Sequence, residues 1–124
     1  MNVNRPLVSV VDDDESVRES LPDLLREFGF AAEAFASAEE FLVSDRMNDT
    51  RCLILDVAMP GMSGPDLQRE LARRQRQIPI VFITAHGSEA TRPQLIEQGA
   101  VDCLLKPFSD TALRQAIDTA LRER

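Results

Sequence analysis

The chain has 124 residues, 44% hydrophobic and 28% charged, with a formal net charge of −7 from 14 basic and 21 acidic residues. That length suits one domain with a single core, and the acidic balance argues against a surface that tracks nucleic-acid phosphates. No apolar run approaches the roughly 20 residues needed to span a bilayer, and residues 1–6 lack the apolar centre of a secretory signal, so a cytoplasmic protein without a membrane partner is expected.

Residues 7–11 (Leu-Val-Ser-Val-Val) read as a strand, and Asp12, Asp13 and Asp14 follow it directly. Val17, Leu21, Leu24, Leu25 and Phe28 then recur at helical spacing until Gly29 supplies a stop. Pro22 falls inside that helix, where it removes a hydrogen bond and is expected to kink or strain the turn. A second strand at 31–35 carries Glu33 and three alanines, which suits an edge, and a short helix at 38–45 follows. The third strand, 52–55, ends in Asp56; Gly64 and Pro65 open a third helix that reads to about Gln75. The fourth strand, 80–83, ends in Thr84. A fourth helix before Gly99 has a thin apolar face and is interrupted by Pro93, so it should be short, with 87–92 loosely held. The fifth strand, 101–105, ends in Lys106. Leu113, Ala116, Ile117, Ala120 and Leu121 line one face of a last helix capped by Ser109 or Asp110. Cys52 and Cys103 sit in apolar runs without metal-finger spacing and read as buried thiols.

Strands alternating with helices give an α/β fold with a parallel sheet. The first, third and fourth strands are continuous apolar runs, as expected of strands covered on both faces. Right-handed crossovers with those three central yield a doubly wound, five-stranded sheet of order 2-1-3-4-5. In such sheets ligands bind at the carboxyl ends of the strands, beside the switch between the first and third. Asp12 and Asp13, Asp56, Thr84 and Lys106 all fall on that rim.

Asp12, Asp13 and Asp56 would stand about one strand spacing apart, roughly 4.8 Å. Carboxylates that close repel, raising a pKa or recruiting a cation, and hard oxygens suit Mg²⁺. Asp13 and Asp56 are expected as direct ligands, Asp12 directly or through water, with the Ala58 backbone carbonyl completing the protein's share. Thr84, on the neighbouring strand, is near enough for a short hydroxyl to reach a group on Asp56. Lys106 is two strands away, roughly 9–10 Å at the backbone, a gap that a long cationic side chain bridges. Such a set suits phosphoryl transfer to Asp56, which needs positioning and charge neutralisation more than covalent assistance. Each residue alone has a plainer reading: a helix cap for the acids (preferred for Asp14), a strand terminus for Thr84, a solvated lysine for Lys106, a turn for residues 59–64. Their joint placement on four strand ends favours a site.

Val10-Val11-Asp12-Asp13-Asp14, the block from Leu55-Asp56 to Ser63-Gly64, Ile83-Thr84-Ala85-His86-Gly87 and Lys106-Pro107-Phe108 together resemble the blocks of bacterial two-component response-regulator receiver domains, over essentially the whole chain. Thr-x-His-Gly after the fourth strand and Gly-Ala-Val-Asp before the fifth-strand core are most similar to the FixJ-like group. The resemblance implies a (βα)5 receiver fold of flavodoxin-like order. It implies Asp56 as phosphoacceptor, Asp12 and Asp13 as the acid pocket, Thr84 as switch hydroxyl with Ala85 beside it, and Lys106 as phosphate contact. It also implies a usually cis Lys106–Pro107 bond, a sensor histidine kinase as partner, and a homodimer through the fourth helix, fifth strand and fifth helix. Residues 1–124 then read as a single receiver domain without a carboxy-terminal effector domain, stand-alone or cut from a longer regulator.

One position departs from the family. The aromatic usually found three residues before the lysine is Cys103 here, so a ring swinging with phosphorylation is not expected, and Thr84 with 87–92 is assigned the change instead. His86 reads either as tuning the lifetime of the acyl phosphate or as a loop residue without a task. Three rival functions fit the residues less well. A flavin carrier lacks its phosphate loop and stacking Trp or Tyr here; an aspartyl-phosphate hydrolase usually has a second acid where Ala58 stands; a receiver that binds partners without phosphate would not need Asp56, Thr84 and Lys106.

Overall fold

The computed structural model describes residues 5–85 and 91–122. Strands β1 (Leu7–Val11), β2 (Ala31–Phe35), β3 (Thr50–Asp56), β4 (Ile80–Thr84) and β5 (Asp102–Leu105) form one parallel sheet in the order β2-β1-β3-β4-β5. They alternate with α1 (Glu15–Glu27), α2 (Ala38–Val43), α3 (Gly64–Arg73), α4 (Thr91–Glu97) and α5 (Asp110–Arg122), with a 3-10 turn at Met47–Asp49. Among the described residues no helix is long and apolar enough to cross a membrane.

The two-residue period of the strands divides the core in two. Val8, Val10, Cys52, Ile54, Val81 and Ile83 face one way, onto Leu21 and Leu25 of α1 and Leu113, Ala116, Ile117 and Ala120 of α5. Val11, Leu53, Leu55, Ile80 and Phe82 face the other, onto Phe41 of α2, Leu67 and Leu71 of α3 and Leu95 of α4. Each large apolar side chain fully withdrawn from water stabilises the fold by about 1.5–3 kcal/mol. Both faces of β1, β3 and β4 are therefore covered. The two outer strands are more exposed, with Glu33 on β2 and Leu105 on β5 open to solvent.

Local chemistry sets the ends of the elements. Asp14 caps α1, its side chain accepting from the Ser16 N–H at 2.9 Å, and these Ser16 hydrogen bonds hold its carboxyl below the ordinary value. Gly29, at φ +100°, ends that helix. Pro22 lies inside α1 without ending it, its ring buried. Ser63 and Asp66 form a reciprocal capping box at α3, and Ser109 accepts from the Ala112 N–H at α5. β3 begins two residues earlier than the apolar run predicts. Thr50 is drawn inside by a buried hydroxyl pair with Ser9, 2.7 Å apart, and donates to the Arg46 carbonyl.

α4 is short, seven residues, as its thin apolar face implies; His86 and most of 87–92 lie outside the described residues. Cys52 is buried, but Cys103 is only half-buried, a correction with a clear cause: it sits on an edge strand beside a short helix. Burial nevertheless pushes its thiol above the ordinary value, as does Asp102, against the opposing charge of Arg92. Cys103 is thus no activated thiol.

Candidate functional site

Asp12 and Lys106 each stand one residue past a strand, and Asp56 closes β3. All three keep step with Val10, Ile54 and Leu104, which belong to the same side of the sheet. The ends of β1, β3 and β5 therefore send polar side chains to the same side of the sheet by simple alternation. Thr84 closes β4 between β3 and β5, its backbone carbonyl accepting from the Lys106 N–H at 2.8 Å.

Asp12 is fully buried. Its Oδ1 accepts from the Asp14 N–H at 2.9 Å and its Oδ2 from Lys106 Nζ at 2.8 Å. Lys106 Nζ is also 3.8 Å from Asp56 Oδ1, so the lysine spans the distance that the strand order requires. Asp56 is 6% and Thr84 8% exposed, whereas Asp13 is open to solvent. Ligand oxygens of Asp12, Asp13 and Asp56 lie within 4.8 Å of one another. Ala58 and Ala85 are exposed in the loops that follow β3 and β4.

The electrostatics follow from that crowding. Burial, and next the charge of Asp12, push the Asp56 carboxyl up to about 7; Asp13 adds to the rise and Lys106 opposes it. Burial works against the Lys106 ammonium, but the Asp12 hydrogen bond and the charges of Asp12, Asp56 and Asp14 outweigh it, and its pKa is raised. Asp12 and Asp56 share one ammonium, and Asp13 adds a third negative charge beside them. Hard oxygens, an excess of negative charge and one solvent-facing member make a donor set that fits a small divalent cation.

One contact and one further residue were not visible in the sequence. Lys106 pairs most closely with Asp12 rather than with Asp56, because Asp12 is the more enclosed acid. Arg18 of α1 reaches back to donate to the Asp12 carbonyl at 3.1 Å, steadying the β1–α1 turn. An arginine one turn into a helix after a strand-end acid was the available signal.

Comparison with known proteins places this geometry in a family. The description "Response regulator receiver domain" matches residues 8–118. Nodulation protein W of Bradyrhizobium diazoefficiens is 47% identical over 116 residues, 94% of this chain and 51% of that protein. Response regulator protein TmoT of Ectopseudomonas mendocina is 44% identical over 122 residues, 98% of this chain and 56% of that protein. The chain thus spans about half the length of these curated relatives. The crystal structure of FixJ-N superposes with a TM-score of 0.86 at 39% identity, covering 98% of both chains. The fold, the rim of acids and these matches agree: the chain belongs to the response regulator receiver domain family.

Proposed function

We propose that this receiver domain accepts a phosphoryl group on Asp56 from a histidine kinase, with Mg²⁺ held by Asp12, Asp13, Asp56 and the Ala58 carbonyl. The observation that carries the reading is the convergence of three carboxylates within 4.8 Å of one another, two of them, Asp12 and Asp56, facing a single lysine. When bound, Mg²⁺ would supply charge neutralisation for the transferring phosphoryl oxygens. The chain's own residues do the rest. An Asp56 oxygen forms the new O–P bond as the donor's bond to phosphorus breaks, and the electron pair leaves with the donor group. Lys106, already 3.8 Å from Asp56, offsets charge on the product, and Thr84 offers its hydroxyl from the next strand.

Burial serves this chemistry in two ways: it keeps water from the acyl phosphate and strengthens the pull of Lys106. The added charge then favours a second arrangement of the rim and of the surface beyond it. Ile96 on α4 and Leu105 on β5, 36% and 55% exposed, are apolar side chains that a homodimer through α4, β5 and α5 would cover. A cytoplasmic location and an output through transcription, as the name "Transcriptional regulatory protein FixJ" states for relatives, belong to the same proposal.

Incubation with acetyl phosphate and Mg²⁺, followed by intact-mass spectrometry, tests it. The protein should gain one phosphoryl mass; EDTA or Asp56→Asn should abolish the gain. A gain that survives both would remove Asp56 and the metal from the reaction.

A further inference from the structure

Residues 57–63 connect the proposed phosphoacceptor to α3 and include Ala58. The two ends of this loop are fixed: the Val57 N–H donates to the Ile83 carbonyl at 3.0 Å, and the Gly64 N–H donates to the Val57 carbonyl at 3.0 Å. Ser63 is held in its capping box. Between these ends, Met59 is buried among apolar side chains. Among the described residues, Met62 alone of residues 58–62 makes a hydrogen bond, its N–H donating to Oε2 of Glu39 at 3.2 Å. Glu39 belongs to α2, which the chain reaches well before β3.

The fit between loop and acid is close. Gly61 adopts φ +74°, and a Cβ added there would stand 3.1 Å from Glu39 Oε2. The left-handed glycine thus both turns the chain and leaves room for the carboxylate. A glutamate in the first turn of a helix would ordinarily be explained by the helix dipole alone; here its oxygen reaches a different segment. We infer that Glu39 is a positioning residue for the cation site, clamping the loop that presents the Ala58 carbonyl. The inference rests on the metal reading above. Mg²⁺ tolerates little departure from octahedral geometry, so a loop freed at Met62 would present its carbonyl less often in a usable position.

Calorimetric titration of the full chain with MgCl₂ tests this, alongside Glu39→Ala, Glu39→Gln and Asp13→Asn. Glu39→Ala should weaken Mg²⁺ binding by about 3–10-fold, the equivalent of one ordinary hydrogen bond. Its unfolding midpoint in EDTA should stay close to that of the parent, and exchange of the Met62 amide hydrogen should quicken. Glu39→Gln should bind Mg²⁺ nearly as the parent does, because the amide oxygen still accepts from Met62 although the charge is gone. Equal affinity in the parent and Glu39→Ala, with Asp13→Asn weakened, would overturn the inference and leave the metal reading standing. Equal losses in Glu39→Ala and Glu39→Gln would overturn it in favour of long-range charge. A parent that binds no Mg²⁺ would overturn both.

Discussion

Gly64→Ala is expected to destabilise the domain by about 2–4 kcal/mol, since overpacking against backbone leaves no flexible side chain to yield. A Cβ at position 64 would stand 2.3 Å from the backbone oxygen of Asp56, 2.9 Å from the Phe82 ring and 3.1 Å from the Val57 Cα. Alanine is the better helix former by about 1 kcal/mol, a gain too small to offset that collision. Relief would require α3 to move off β3 or the Asp56 backbone to shift, and either displaces the acceptor from Asp12 and Asp13. Urea denaturation measures the loss, and phosphoryl uptake from acetyl phosphate should slow in the fraction that remains folded. Gly29→Ala is the informative comparison. Its site is open, with nothing within 4 Å, and only its φ of +100° opposes a side chain, for a cost of about 1 kcal/mol. Equal stability of the two variants would show that α3 does not lie against β3 as described.

The second large effect is electrostatic. In the metal-free domain Asp56 is pushed up to about 7, against roughly 3.9 for an unfolded aspartate. Between those values the folded state holds more protons than the unfolded one, so this carboxyl makes stability fall as pH rises through the window. Below about pH 4 both states are protonated, and above about pH 7 the loss is complete. Asp56→Asn keeps the shape and removes the charge. Its stability advantage over the parent in EDTA should grow from near zero at pH 4 to about 2–4 kcal/mol at pH 8. Added Mg²⁺ should narrow the gap by stabilising the parent more than the variant. Denaturation curves across that range check the result; a constant advantage at every pH would mean that Asp56 does not titrate in a crowded acidic site.

How much of this was legible beforehand depends on which physics each feature obeys. The strand order followed from local composition, because Val8, Leu53–Leu55 and Ile80–Ile83 need cover on both faces while Glu33 needs water. The rim followed from the same reading, since strand ends in a parallel sheet all arrive at one edge. Contacts that depend on side-chain direction between distant segments did not follow. The hydrogen bond that Lys106 makes to Asp12 in the unphosphorylated domain, beside its 3.8 Å approach to Asp56, has no signature in strand-end spacing. The apolar run at 52–55 gives no sign of Thr50, whose hydroxyl partner, Ser9, lies 41 positions away in sequence. Glu39 carries no sequence signal beyond its place in a short helix. Gly64 looked like a helix start, when its missing side chain also lets α3 rest on the acceptor's backbone. Cys103 was read as buried from its apolar neighbours, although an edge strand beside a seven-residue helix leaves it half open.

The claim on which the account stands is that the acyl phosphate forms on one particular carboxylate. Borohydride reduction after treatment with acetyl phosphate and Mg²⁺ converts an aspartyl phosphate to homoserine, which peptide mass spectrometry then locates. Homoserine is expected at position 56, with unaltered aspartates at 12 and 13. Homoserine at either of those positions, with Asp56 intact, would contradict it.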